Sequence, residues 1–292
     1  MPSDFFPSIE IILENAFGSA TQLDSIQMVG GGCINQAFKV ETNRGTFFLK
    51  WNENGDNFFR NEERGLHLLR ESGCISIPEV IGAGVADHRS YLLLEYIAPG
   101  YASKQFWDDF GRQLARLHQV SSKNECYGLD HNNEIGRLGQ KNEWTKDWIE
   151  FFIQQRLEIQ ITLAYYHELV DKAFLERFRR IYSVLPTVLA QSPPSLLHGD
   201  LWSGNFLVGE NSIPVLIDPA VYFGHREIEL AFTQLFGGFD RHFYQSYQEV
   251  WPIEPEFGDR AALYNLYPLL VHVNLFGVSY LSGVEQTLRR FL

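Results

Sequence analysis

Leu196-Leu197-His198-Gly199-Asp200-Leu201-Trp202-Ser203-Gly204-Asn205 is the stretch that decides the fold. An apolar pair leads into a loop that carries Asp200 and, five positions on, Asn205. Thirteen positions after Asn205, Asp218 follows Ile217 at the end of a second apolar run, residues 214–217, and precedes Pro219. A carboxylate, an amide and a second carboxylate offered at strand ends can hold a hydroxyl and one or two Mg²⁺ ions. Mg²⁺ is a hard ion that takes oxygen ligands and shares its shell with phosphates. The same residues also suit an ordinary turn in which Asp and Asn satisfy backbone amides. On this stretch alone both readings stand.

Three features upstream bear on the choice. Gly30-Gly31-Gly32-Cys33-Ile34-Asn35 lies between two β-rich runs, where glycines let backbone N–H groups approach phosphate oxygens. By itself a triple glycine is a weak signal, since most such runs are only hairpin turns. Lys50 closes the run Phe47-Phe48-Leu49, and an ammonium there either meets an anion such as a triphosphate or sits on a wet sheet edge. Glu62 shares a helix side with Phe58, Phe59 and Leu66, so it either pairs with Lys50 or is a solvated charge beside Glu63 and Arg64. Each feature is weak alone. Their order along the chain is what makes the set specific.

Working outward, residues 8–17 read as a short helix, and residues 26–29, 37–41 and 46–50 as antiparallel strands joined by tight turns. Residues 56–71 read as an amphipathic helix closed by Gly73, residues 78–84 as a further strand, and Tyr91-Leu92-Leu93-Leu94-Glu95-Tyr96 as a buried one. Beyond Ala98-Pro99-Gly100 the pattern turns helical. Phe106, Trp107, Phe110, Leu114 and Leu117 form one stripe, Trp144, Trp148, Phe151 and Phe152 begin another, and a third spans residues 169–185. Short strands return near 195–197, 206–208 and 214–217. The expected architecture is α+β with two lobes and a cleft between them: an antiparallel sheet plus one key helix, then a mostly helical part.

The chain has 292 residues, 45% hydrophobic and 21% charged, which excludes intrinsic disorder. Lys plus Arg number 24 against 36 Asp plus Glu, a formal charge of −12. So acidic a chain has no general attraction for nucleic acid or anionic membrane, and an anionic ligand needs a local cationic site. Three widely spaced cysteines, Cys33, Cys74 and Cys126, with no visible secretory signal, point to a reducing, cytoplasmic setting and no structural zinc. Residues 261–284 carry no charge until Glu285. They contain Asn265, Pro268, His272 and Asn274, which favours a buried helix or helix pair over a membrane span.

Taken together, these residues resemble the fructosamine kinase (ketosamine 3-kinase) family of the protein-kinase-like superfamily. The strings that narrow the resemblance are GGGCINQAF (30–38), FRNEERGL (59–66), YGLDHNNEIG (127–136), FFIQQRL (151–157), LLHGDLWSGN (196–205), DPAVYFGHRE (218–227), LFGGF (235–239) and LYNLYPLLVHVNLFG (263–277). The resemblance implies a two-lobed kinase-like fold with an N-lobe over residues 1–97, a hinge at Glu95, Tyr96 and Ile97 that meets adenine, and a C-lobe over 98–292. It implies Mg-ATP as cofactor and transfer of the γ-phosphoryl to the 3-hydroxyl of a ketosamine, free or protein-bound, which destabilises the adduct and reverses glycation. Asp200 would accept the hydroxyl proton, Asn205 and Asp218 would bind Mg²⁺, and Lys50, oriented by Glu62, would hold the α/β-phosphates under the loop Gly30–Asn35. Trp202 would offer a platform to the sugar, with His198 and Ser203 beside it; the plain alternative for Trp202 is a core aromatic. Cys33 resembles a cysteine linked to redox-dependent homodimers, against the alternative of an inert small residue.

Two departures stand out: Asp218-Pro219-Ala220 replaces the D-F-G of protein kinases, and Glu229 stands where relatives commonly have Asp, a change expected to touch a supporting hydrogen bond. Two alternatives remain. One is a kinase of the aminoglycoside or choline phosphotransferase type with another acceptor. The other is a catalytically silent nucleotide-binding protein.

Overall fold

The computed structural model describes residues 5–30, 35–53 and 58–292. In chain order, α1 (Phe5–Phe17) precedes β1 (Leu23–Met28), β2 (Gln36–Thr42) and β3 (Gly45–Asn52), then α2 (Arg60–Glu71), β4 (Val80–Ala86) and β5 (Arg89–Glu95). There follow α3 (Lys104–His118), the short strands β6 (Asn133–Ile135) and β7 (Leu138–Gln140), and α4 (Trp148–Phe151). A π-helical stretch, Phe152–Leu157, joins α4 to α5 (Glu158–Tyr166). After α6 (Lys172–Arg179) and α7 (Leu185–Val188) come β8 (Ser195–Leu197), β9 (Phe206–Gly209), β10 (Ile213–Leu216) and β11 (Tyr222–Gly224). Five helices end the chain: α8 (Arg226–Leu235), α9 (Arg241–Val250), α10 (Phe257–Tyr264), α11 (Leu266–Phe276) and α12 (Leu281–Phe291). These elements form two compact units, residues 1–102 with 207–218, and residues 103–206 with 219–292.

The first unit is built on an antiparallel sheet in the order β1-β2-β3-β5-β4. Alternation in β3 turns Phe47, Leu49 and Trp51 toward one face, where they join Phe38, Val40, Leu93 and the α1 residues Ile9, Ile12 and Leu13 in a core. Lys50 therefore points to the opposite face, the one that meets Glu62 of α2. The turn between β2 and β3 is fixed by Thr42, whose hydroxyl donates to Gly45 O and accepts from the Arg44 N–H. The sheet has five strands; β4 begins at Val80 rather than at Pro78, whose missing N–H does not suit a ladder. Helix α2 begins at Arg60, later than residue 56. Phe58 and Phe59 form a turn in which the Phe58 N–H donates to Ser90 Oγ, and residues 54–57 lie outside the described part. The β9–β10 hairpin belongs to this unit, pinned by Gly100 N–H to Val208 O and by Leu216 N–H to Ser76 O.

The second unit is helical. Ser103 caps α3 by accepting from the Phe106 N–H, and Phe106, Phe110, Leu114 and Leu117 form its buried stripe. Gly111 lets α3 lie directly on α9: a Cβ there would come within 2.1 Å of Phe243 O. Strand β8 pairs with β11, which places the loop after Leu197 beside the segment after Asp218. The uncharged stretch 261–284 runs through α10, α11 and the start of α12, interrupted at Asn265 and at Gly277, whose φ is 97°; it is mostly buried up to Val273, while Phe276 and Val278 are exposed. Among the described residues no helix is long and apolar enough to cross a membrane.

Candidate functional site

In the second unit the site is the loop after β8. Asn205 is buried and donates through Nδ2 to both Asp200 O (2.8 Å) and Asp200 Oδ2 (2.9 Å). Both amide hydrogens are committed to Asp200, so Asn205 Oδ1 remains as an oxygen donor. Asp200 itself is half-buried. His198 is fully buried, and its Nδ1 accepts from the Asp200 N–H at 3.3 Å, so its imidazole braces the loop from inside.

Two glycines explain the local sequence. Gly199 has φ 86°, and a Cβ on it would lie 2.0 Å from Ala220 O. A side chain is excluded there on both counts. At Gly204 a Cβ would lie 2.4 Å from the Trp202 ring, so the glycine lets the indole fold over the loop. Trp202 is 37% exposed and Ser203 is exposed, so both are open to an acceptor.

Beneath the loop lies Glu229 of α8. Its carboxylate accepts from the His198 N–H (3.0 Å), the Gly199 N–H (2.7 Å) and His118 Nε2 (2.9 Å), while His118 Nδ1 meets the Tyr247 hydroxyl at 2.8 Å. Burial pushes the Glu229 carboxyl up. The hydrogen bonds and charge of its neighbours His118 and His198 and the Gly199 N–H outweigh that and hold it below the usual carboxylate range. The longer side chain thus makes the supporting bonds itself. The sequence signals His118 only as a lone imidazole ending the apolar stripe of α3.

In the first unit Lys50, buried, donates to Glu62 Oε1 at 2.7 Å and to Asp218 Oδ1 at 2.6 Å. Burial disfavours the ammonium, but Glu62 and Asp218 outweigh it and raise the lysine pKa above its ordinary value. Glu62 is pushed upward, chiefly by burial and further by Asp218, against the pull of Lys50. Two carboxylates around one ammonium leave an excess negative charge. That donor set suits a divalent cation, and the lysine suits a phosphate once a carboxylate turns to the metal. Asp218 holds φ at 56°, the left-handed region that is uncommon for a residue with a Cβ and that aspartate enters more readily than most.

The remaining expected residues are placed less fully. Gly30 and Asn35 are described, and Asn35 Oδ1 accepts from Asn52 Nδ2 at 2.6 Å. Gly31, Gly32, Cys33 and Ile34 lie outside the described residues, and with them the expectation for Cys33. In the segment Glu95, Tyr96 and Ile97, the Glu95 N–H is spent on Glu79 O and its carboxylate accepts the Glu79 N–H. The Tyr96 ring lies under Lys39 Nζ at 5.3 Å. Ile97 is half-buried.

The chain is similar to known proteins over nearly its whole length. The "Probable ketoamine kinase" of Lactiplantibacillus plantarum is 40% identical over 93% of this chain and 95% of its own length. The chloroplastic protein-ribulosamine 3-kinase of Oryza sativa subsp. indica is 37% identical over 94% of this chain and 81% of its own. The crystal structure of a Haemophilus somnus 129PT protein named for fructosamine-3-kinase superposes with a TM-score of 0.87 at 29% identity, covering 98% of this chain and 97% of that one. The fructosamine kinase family model matches residues 5–292. With that match running from α1 to α12, the chain belongs to the fructosamine kinase family.

Proposed function

We propose that the protein transfers the γ-phosphoryl group of ATP to the 3-hydroxyl of a ketosamine, with a ribulosamine adduct on a protein lysine as the first acceptor to examine. The observation that carries this reading is the Asp200–Asn205 pair: a half-buried carboxylate held by an amide whose own oxygen faces away from the bond. The names of the relatives, ketoamine kinase and protein-ribulosamine 3-kinase, support the acceptor class.

Each residue has a role that its surroundings suit. Asp200 accepts the proton of the acceptor hydroxyl as the hydroxyl oxygen bonds to phosphorus and the bond from phosphorus to the ADP oxygen breaks. In a loose transition state this proton can move late, so Asp200 needs placement more than a raised pKa. Asn205 Oδ1 and the carboxylate of Asp218 would each serve as an oxygen donor for Mg²⁺, which when bound would neutralise charge on the phosphates. Lys50, oriented by Glu62, takes the α/β-phosphates. In the segment Glu95, Tyr96 and Ile97, the Glu95 N–H is already used, so an adenine contact from Glu95 falls to its carbonyl. Trp202, exposed and folded over Gly204, offers a flat face to the sugar, with Ser203 beside it.

The test is an acceptor panel with Mg-ATP: ribulosamine, fructosamine, choline and an aminoglycoside, with wild type and Asp200→Ala. Phosphorylation of ketosamines alone, lost in Asp200→Ala, supports the reading. Turnover only with choline or the aminoglycoside moves the protein to another acceptor, and ATP binding without any turnover makes it a silent nucleotide binder.

A further inference from the structure

The string of residues 127–142 has no role in the chemistry above, yet it holds the most connected group of buried side-chain amides in the second unit. Asn133 and Gln140 face each other across the β6–β7 hairpin and are both almost completely buried. Gln140 Nε2 donates to Asn133 Oδ1 (2.8 Å) and to Ala220 O (3.1 Å), while Gln140 Oε1 accepts from the Tyr267 hydroxyl (2.6 Å). Asn133 Nδ2 donates to Val221 O at 2.8 Å. Asn142 Nδ2 donates to Asn133 Oδ1, and Asn142 Oδ1 accepts from Arg156 Nη2, both at 2.8 Å. Arg156 comes from the π-helical stretch, is fully buried, and lies 4.0 Å from the centre of the Tyr222 ring.

Two of these bonds end on the stretch that follows Asp218, from Gln140 to Ala220 O and from Asn133 to Val221 O. Ala220 is its focus: its O accepts from Gln140, its N–H donates to His198 O at 2.9 Å, and its carbonyl is the group that forbids a side chain on Gly199. One residue, through its two flanking peptides, thus ties the segment after Asp218 to the loop carrying Asp200 and to Gln140. Buried carbonyls need partners, but neighbouring strands usually supply them. Supplying them from side chains means burying Asn133, Gln140, Asn142 and Arg156 together; Arg156 leaves its Nε without a partner, but the three carboxamides are each paired through both oxygen and nitrogen, and that fixes their geometry. Gln140 has its orientation set as well: exchanging its O and N would put an oxygen against two acceptors. Two residues upstream of Ala220 stands Asp218 in its left-handed conformation.

We propose that Gln140 is a positioning residue for phosphoryl transfer: its carboxamide clamps the Ala220 peptide and thereby sets the place of the Asp218 carboxylate permanently, where protein kinases use a movable segment. This rests on the metal role proposed for Asp218. The decisive readout is binding of Mn²⁺ in the presence of ADP, followed by loss of the free-ion electron paramagnetic resonance signal, which needs no acceptor. A protein that binds Mn²⁺–ADP normally but phosphorylates no ketosamine would count against the acceptor reading and not against this one. Gln140→Met keeps the size and removes both donors. It is expected to weaken Mn²⁺ binding about tenfold, as supporting partners of metal ligands do, and to lower kcat with the ketosamine KM unchanged. Leu288→Ala, a buried substitution in α12, is expected to lower the melting temperature while leaving Mn²⁺ binding as in wild type. Should Gln140→Met not fold, Tyr267→Phe removes only the hydroxyl that orients the carboxamide, and a smaller weakening in the same direction is expected. Wild-type Mn²⁺ binding in the folded Gln140 variant, or in Tyr267→Phe where that variant decides, overturns the proposal. Equal weakening in Leu288→Ala does so too.

Discussion

Asp200→Asn keeps the shape of the loop and removes the proton acceptor, so kcat is expected to fall by about 10²–10⁴-fold while ATP binding stays close to wild type. Steady-state kinetics with separate nucleotide-binding measurements check this. Lys50→Met acts on the other step. It removes the charge-assisted bonds offered to the phosphates and leaves Glu62 and Asp218 without their shared cation, so the KM for ATP is expected to rise by about 10- to 100-fold. Gly199→Ala probes backbone rather than charge: its methyl would meet Ala220 O, so the loop must move, and a shift of that kind is expected to lower kcat by about 10²-fold. At this scale much was legible. The pairing of Lys50 with Glu62 is legible because a lysine ending an apolar strand and a carboxylate on an apolar helix side each call for a partner. The supports were not: a buried Gln, Asn or His has no signature until the fold shows what it bonds, as Gln140 and His118 illustrate.

Elements are legible in the sequence where periodicity is long and obscure where partners decide. The stripe of α3 and the alternation of β3 are visible from spacing alone. The start of α2 is not, because it depends on the Phe58 N–H finding Ser90, thirty-two positions away. Likewise β11 has only three residues and exists through pairing with β8. The close approach of α3 and α9 belongs to this scale. Gly111→Ala would drive a methyl into the Phe243 carbonyl, forcing the helices apart at a cost of about 1–3 kcal/mol. The expected result is a melting temperature lower by roughly 5 °C with the ketosamine KM unchanged, read by scanning calorimetry and kinetics.

Across the whole molecule, the buried histidine His225 makes stability depend on pH. It caps α8, accepting from the Glu227 N–H, and packs against the rings of Trp148 and Tyr264. Burial, with the nearby charge of Arg226, pushes its pKa down to about 3 from 6.5. The unfolded chain therefore takes up a proton that the folded chain refuses, so the stability this group contributes is whole above pH 6.5 and is lost as pH falls toward 3. The slope is about 1.4 kcal/mol per pH unit. Glu229, held below its ordinary value, adds to the loss at the acid end of that range. Denaturant unfolding from pH 7 to pH 4 is expected to show this decline, and His225→Asn, which keeps a capping acceptor without the titration, is expected to flatten it. The fold itself follows from an order of elements that the sequence displays: sheet with one helix, then helices around short strands. What spacing cannot show is that residues 207–218 join the first unit, because that depends on Gly100 and Ser76 bonding the hairpin.

The central claim is a phosphoryl transfer to a ketosamine through Asp200. Mass spectrometry of a ribulosamine-modified peptide after incubation with Mg-ATP tests it most directly, with wild type and Asp200→Asn side by side. Phosphate added to the sugar 3-hydroxyl by wild type, and absent or reduced by orders of magnitude with Asp200→Asn, is the expected result. An unmodified sugar with active, ATP-binding wild type, or equal phosphorylation by both proteins, would contradict it.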